Sequence, residues 1–140
     1  MGRIRKLFSL PATKRRLLLA AVTLLAAVRL LLCLLPFAWV RAALRPLANG
    51  SRRPQASQAA HDISWAIDVA SRVVPKGTHC LSMALVAQTL LFRHGCTATL
   101  HFGVPRESGS QFIAHAWVKS NGVVVSGGPG VDRDYIELTR

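Results

Sequence analysis

Residues 77–104 read GTHCLSMALVAQTLLFRHGCTATLHFGV, and the spacing of their apolar positions changes part-way through. Up to His94 it is three and four. Leu81, Ala84, Leu85, Gln88, Leu91 and Phe92 share one helical face, Thr78 is placed to cap the start, and Gly95 offers a left-handed stop. This predicts a helix over residues 78–94. After Gly95 the period is two: Ala98, Leu100, Phe102 and Val104 alternate with Thr97, Thr99, His101 and Gly103, as along a half-buried strand. Downstream, FIAHAWVK (112–119) and VVVS (123–126) flank Ser120-Asn121-Gly122, and Asn-Gly between apolar runs signals a hairpin. Upstream, Ile63, Ala66, Ile67 and Ala70 give another helical face that closes at Val73-Val74 before Pro75. The order helix, helix, strand, hairpin makes this an α+β protein.

Charge divides the chain differently. The formal net charge is +12, yet the first acidic residue is Asp62, and eleven Lys and Arg precede it. From Asp62 onward, seven basic residues face six acidic ones. The basic arm suits an anionic lipid surface or an acidic protein. It carries no recognisable nucleic-acid motif, so nucleic acid is not an expected partner.

Within that arm, residues 17–40 (LLLAAVTLLAAVRLLLCLLPFAWV) exceed the ~20 apolar residues that span a bilayer. Arg29 lies near the middle, at an insertion cost of about 2.5 to 3.5 kcal/mol, and Pro36 interrupts the run. A secretory signal fits poorly, because Ala26-Ala27 runs directly into Val28-Arg29. The favoured reading is two amphipathic helices broken near Pro36, burying leucines on the domain or on a partner, with a helix on the membrane surface as the intermediate case. Residues 49–60 are rich in Asn, Gly, Ser, Pro and Gln and read as a linker. The expected organisation is thus a basic leucine-rich segment (1–48), a linker (49–60) and a core (61–140).

Cys33, Cys80 and Cys96 are odd in number and lack metal or disulfide spacing, so free thiols in a reducing, cytoplasmic compartment are expected. Cys80 falls in the first turn of its helix, where unpaired N–H groups and the helix dipole favour a thiolate nucleophile. The alternative is a small packing residue, the reading given to Cys33 and Cys96. Among the histidines, His115 stands out because it sits inside an apolar strand beside Ile113 and Trp117, where a polar group needs a partner.

In order and spacing, the segments WAIDVASRVVP, HCLSMALVAQTLLFRHG, LHFGV, FIAHAWV, VVSGG and YIEL resemble the lasso peptide biosynthesis B2 proteins over residues 61–138. The resemblance implies a transglutaminase-like, papain-type cysteine peptidase core that needs no cofactor or metal. It makes Cys80 the nucleophile and His115 the general base. The substrate would be the leader of a ribosomally made precursor peptide, delivered by a separate leader-recognition protein, and a lasso cyclase would close the freed core peptide. Membrane-surface contact through residues 1–48 would make the protein membrane-associated.

The family's third residue, an acid on the strand after the histidine, has no obvious counterpart. A two- or three-residue hairpin loop pairs His115 with Gly128 or Gly127. Asp132, the first acid beyond that turn, is the expected orienting group, with Ser126 or a backbone carbonyl as alternatives. Two other readings stand beside the peptidase: a non-catalytic peptide-binding module of the same fold, and a membrane-associated acyltransferase.

Overall fold

A computed structural model describes residues 9–48, 56–74, 79–107, 109, 113–128 and 130–138. In chain order these form α1 (Ala12–Leu34), α2 (Phe37–Leu44), a 3-10 turn (Arg45–Ala48), α3 (Ala56–Val73), α4 (His79–Arg93), β1 (Thr99–Pro105), β2 (His115–Ser120), β3 (Val123–Ser126), a single helical turn α5 (Val131–Asp134) and β4 (Tyr135–Glu137). Pro36 separates α1 from α2 because its fixed φ starts a helix more readily than it continues one. α3 begins at Ala56, so the last five residues of the expected linker are helical. The expected cap Thr78 lies outside the described residues.

The end of α4 follows from one residue. Gly95 takes φ +75°, and the pair of bonds Cys96 N–H to Leu91 O (2.8 Å) and Gly95 N–H to Phe92 O (3.0 Å) closes the helix and turns the chain back. The four strands form an antiparallel sheet in the order β3-β2-β1-β4. The β2–β3 turn is the anticipated Asn121-Gly122, with φ +50° and +80°, as a two-residue turn of this handedness requires.

One face of the sheet receives the helices. Leu100, Ala116, Val118 and Val125 join Ile63, Ile67, Leu85, Leu90 and Leu91 in a single apolar core. The inner face of α1 belongs to the same core: Leu18, Ala21, Leu25 and Val28 are buried against α3 and α4. Lys14 reinforces that contact through an ion pair with Asp62 (3.4 Å) and a position over the Trp65 ring (5.8 Å). α1 is also long and apolar enough to cross a membrane.

The stability of α1's contact is open to direct test. Leu25 is 1% exposed and Leu30, one and a half turns on, is 62% exposed. Leu25→Ala should lower the unfolding free energy by about 2–5 kcal/mol, and Leu30→Ala should change it by no more than about 0.5 kcal/mol. Urea unfolding of the two variants measures the difference, and equal effects would contradict the packing of α1 into the core.

Candidate active site

Cys80 stands half-buried in the first turn of α4, where the leading N–H groups have no partner within the helix. The turn at Gly95 sends β1 back along α4, and β2, antiparallel to β1, runs in the same direction as α4 and packs against it. The starts of α4 and β2 therefore lie at the same end of this layer. Cys80 occupies one start and His115 is the first residue of the other. At the far end, Thr97 Oγ1 donates to Asn121 Oδ1 at 2.8 Å.

The other two thiols differ from each other. Cys96 is 3% exposed, and burial pushes its thiol up from the ordinary cysteine range, as expected of an inert packing residue. Cys33 is exposed, which corrects its reading as a packing residue: it lies on the outward side of α1.

Alternation along β2 sends Ala116 and Val118 into the core, so His115 and Trp117 occupy the opposite face. That face is not open to water. β3 and β4 are the two edges of the sheet, so the segment joining them, of which residues 127–128 and 130–134 are described, has to cross from edge to edge. It passes over the Trp117 face, which leaves Trp117 only 1% exposed.

Under that crossing lies a row of rings. His101 stacks on Trp117 (centroids 5.8 Å), His115 on Trp117 (6.3 Å) and His115 on Tyr135 (4.9 Å). His101 Nδ1 is bonded to the Glu137 carboxylate. His101 looked like a residue on the polar side of its strand. It does lie on the side away from the core, and the antiparallel register, which sets it opposite Trp117, is what gives it an aromatic neighbour there.

His115 is held by the main chain. Its Nε2 lies 2.9 Å from the carbonyl oxygen of Gly127. A carbonyl only accepts, so Nε2 carries the proton and, in the neutral ring, Nδ1 is left as the basic nitrogen. Asp132 takes another partner: its carboxylate pairs with Lys119 Nζ at 2.6 Å, a partly exposed contact that ties the crossing segment to β2. Ser126 is buried, and its hydroxyl has no hydrogen-bond partner among the described residues.

The register explains Gly127's position. A bulge between Val118 and Lys119 leaves Ser126 opposite Val118, so Gly127 falls beside Trp117 instead of opposite His115. The His115 side chain reaches it diagonally. Glycine is required there twice over: φ is +127°, and an added Cβ would stand 2.3 Å from Trp117 Cβ. Gly103, at the far edge of the indole, is constrained similarly, since a Cβ would meet the ring at 2.7 Å.

Next to Tyr135 opens a cleft of about 720 Å³ lined by Pro105, Arg106, Glu107, Ile113, Arg133, Asp134 and Tyr135. Its size suits a small ligand or a few residues of a peptide. Among the described residues, no cluster of His, Cys, Asp and Glu is arranged to hold a metal ion.

A cysteine heading a helix laid on an antiparallel sheet, with a histidine opening the second strand, agrees with a transglutaminase-like α+β fold. The family model described as the transglutaminase-like superfamily matches residues 22–140, and the chain belongs to that superfamily, which includes cysteine peptidases and transglutaminases. No curated protein and no solved structure gives a significant match. The match begins inside α1, upstream of the expected core boundary at residue 61.

The clamp on His115 makes Gly127 the most sensitive glycine of the crossing segment. Gly127→Ala should cost about 1–3 kcal/mol, from left-handed strain and the collision with Trp117 together. Gly128→Ala, at φ +91° but with open space around it, should cost less. Denaturant midpoints of the two variants decide the point, and a neutral Gly127→Ala would show that the close approach to Trp117 is not structural.

Proposed function

We propose that the protein is a cysteine peptidase that removes the leader from a ribosomally made lasso precursor peptide. It would work with a separate leader-recognition protein and release a core peptide for a lasso cyclase. The observation that carries this reading is the His115 Nε2–Gly127 carbonyl bond, which leaves a basic Nδ1 at the end of the layer where α4 begins. Membership of the superfamily supports the chemistry, and the resemblance of residues 61–138 to the B2 proteins supports the substrate.

In this mechanism the Cys80 proton passes to His115 Nδ1, and the thiolate attacks the scissile carbonyl carbon. Because His115 opens β2 on the face away from α4, this mechanism requires its ring to reach Cys80 around the end of the sheet. The oxyanion is stabilised by main-chain N–H groups in the first turn of α4, which have no helical partner. The amide C–N bond then breaks, and the leaving amine takes the proton from Nδ1. Water, deprotonated in turn by Nδ1, hydrolyses the thioester and returns the thiol.

Gly127 keeps the productive tautomer through these steps, as an orienting acid would. It differs from a carboxylate in carrying no full charge to stabilise the imidazolium. The 720 Å³ cleft beside Tyr135 gives the peptide flanking the scissile bond a place to lie.

The test is precursor cleavage by the purified protein with its leader-recognition partner, followed by mass spectrometry. Cys80→Ala and His115→Ala should each reduce cleavage by at least about 1,000-fold while circular dichroism stays native. Asp132→Asn should stay within about threefold of the parent, because its carboxylate is engaged with Lys119. Undiminished cleavage by Cys80→Ala removes the peptidase assignment. Binding without cleavage by the parent protein points to the non-catalytic module, and a product extended by an amine points to the acyltransferase. A collapse with Asp132→Asn would mean that the acid, and not Gly127, orients the ring.

A further inference from the structure

The outward side of α1 is the part of the molecule that neither the core nor the site accounts for. With the inner face taken by Leu18, Ala21, Leu25 and Val28, the opposite sector carries Leu19, Thr23, Ala26, Leu30, Cys33 and Leu34. Leu19, Leu30 and Leu34 are 60%, 62% and 71% exposed. Thr23 is the sector's one polar side chain between Leu19 and Leu34, and its hydroxyl donates to the Leu19 carbonyl at 2.8 Å, so it asks nothing of water. The mid-helix Arg29, which weighs against a bilayer span, is half-buried on the flank of the helix.

Charge brackets this apolar strip. Arg15 and Arg16 share its sector at the start of α1 and are exposed. At its other end the chain continues through Leu35 and Trp39, 41% and 66% exposed, to the exposed Arg41 and Arg45. No acidic residue occurs before Asp62. An exposed leucine strip, an exposed tryptophan and cations at both ends match the requirements of a helix lying in the interface of an anionic bilayer. An acidic protein groove would satisfy the cations but would not explain a strip of this apolarity.

We infer that the outward face of α1, from Arg15 to Leu34 and continuing to Trp39, docks the folded domain on the surface of membranes containing acidic phospholipids. The helix lies flat and does not cross. Crossing would withdraw Leu18, Ala21, Leu25 and Val28 from α3 and α4 and expose the core those helices share. This inference stands independently of the peptidase reading.

Flotation of the full-length protein with vesicles tests it. The protein should rise with vesicles containing acidic phospholipid and much less with purely zwitterionic ones, and about 0.5 M salt should weaken binding. Leu19→Asp/Leu30→Asp, and separately Arg15→Glu/Arg16→Glu, should each lower partitioning by at least about tenfold with thermal unfolding unchanged. Alkaline carbonate should strip the bound protein. The inference is overturned by any of four results: no flotation with acidic vesicles, unchanged binding by the leucine variant, resistance to carbonate, or a concentration-dependent dimer that the leucine variant abolishes in the absence of lipid binding.

Discussion

Gly127 can stand against Trp117 only because it has no side chain, and from that close approach its carbonyl reaches the imidazole of His115. Gly127 on the crossing segment lies against the Trp117 Cβ, and Gly103 on β1 lies against the far edge of its ring. The missing side chain at Gly127 therefore sets how closely the crossing segment approaches Trp117. The Lys119–Asp132 pair ties the same segment further along, at the surface, where such pairs add about 0–1 kcal/mol. Packing, more than charge, thus sets the position of the proton on His115.

A main-chain acceptor and a carboxylate do different work at this position. Both select the Nε2–H tautomer and aim Nδ1 outward. Only the carboxylate adds a full negative charge beside the ring when it takes up a proton. A side chain at 127 would collide with Trp117, which gives a physical reason why this chain carries glycine there.

Much of this fold is legible in the sequence because local signals agree with the tertiary ones. The change of period at Gly95, the Schellman bonds that glycine permits and the Asn121-Gly122 turn all fall where the residues put them. Cys33 was misread because a run of leucines does not say which of its sides is covered. His101 lies on the side of β1 away from the core, as the alternation implies, and what the alternation does not show is that this side also carries Trp117 and a crossing loop. Asp132 looked suited to His115 by sequence order alone. The bulge at Val118/Lys119 and the close approach of Gly127 to Trp117 bring the Gly127 carbonyl to His115 instead, and neither can be read from period or composition.

The most direct measurement is the tautomeric state of His115, read from long-range ¹H–¹⁵N correlations of the imidazole ring at a pH where it is neutral. The bond to Gly127 predicts the Nε2–H form, with Nδ1 showing the shift of a bare acceptor nitrogen, in the parent protein and in Asp132→Asn alike. A dominant Nδ1–H form in the parent, or a switch of tautomer on removal of the Asp132 carboxylate, would contradict the account.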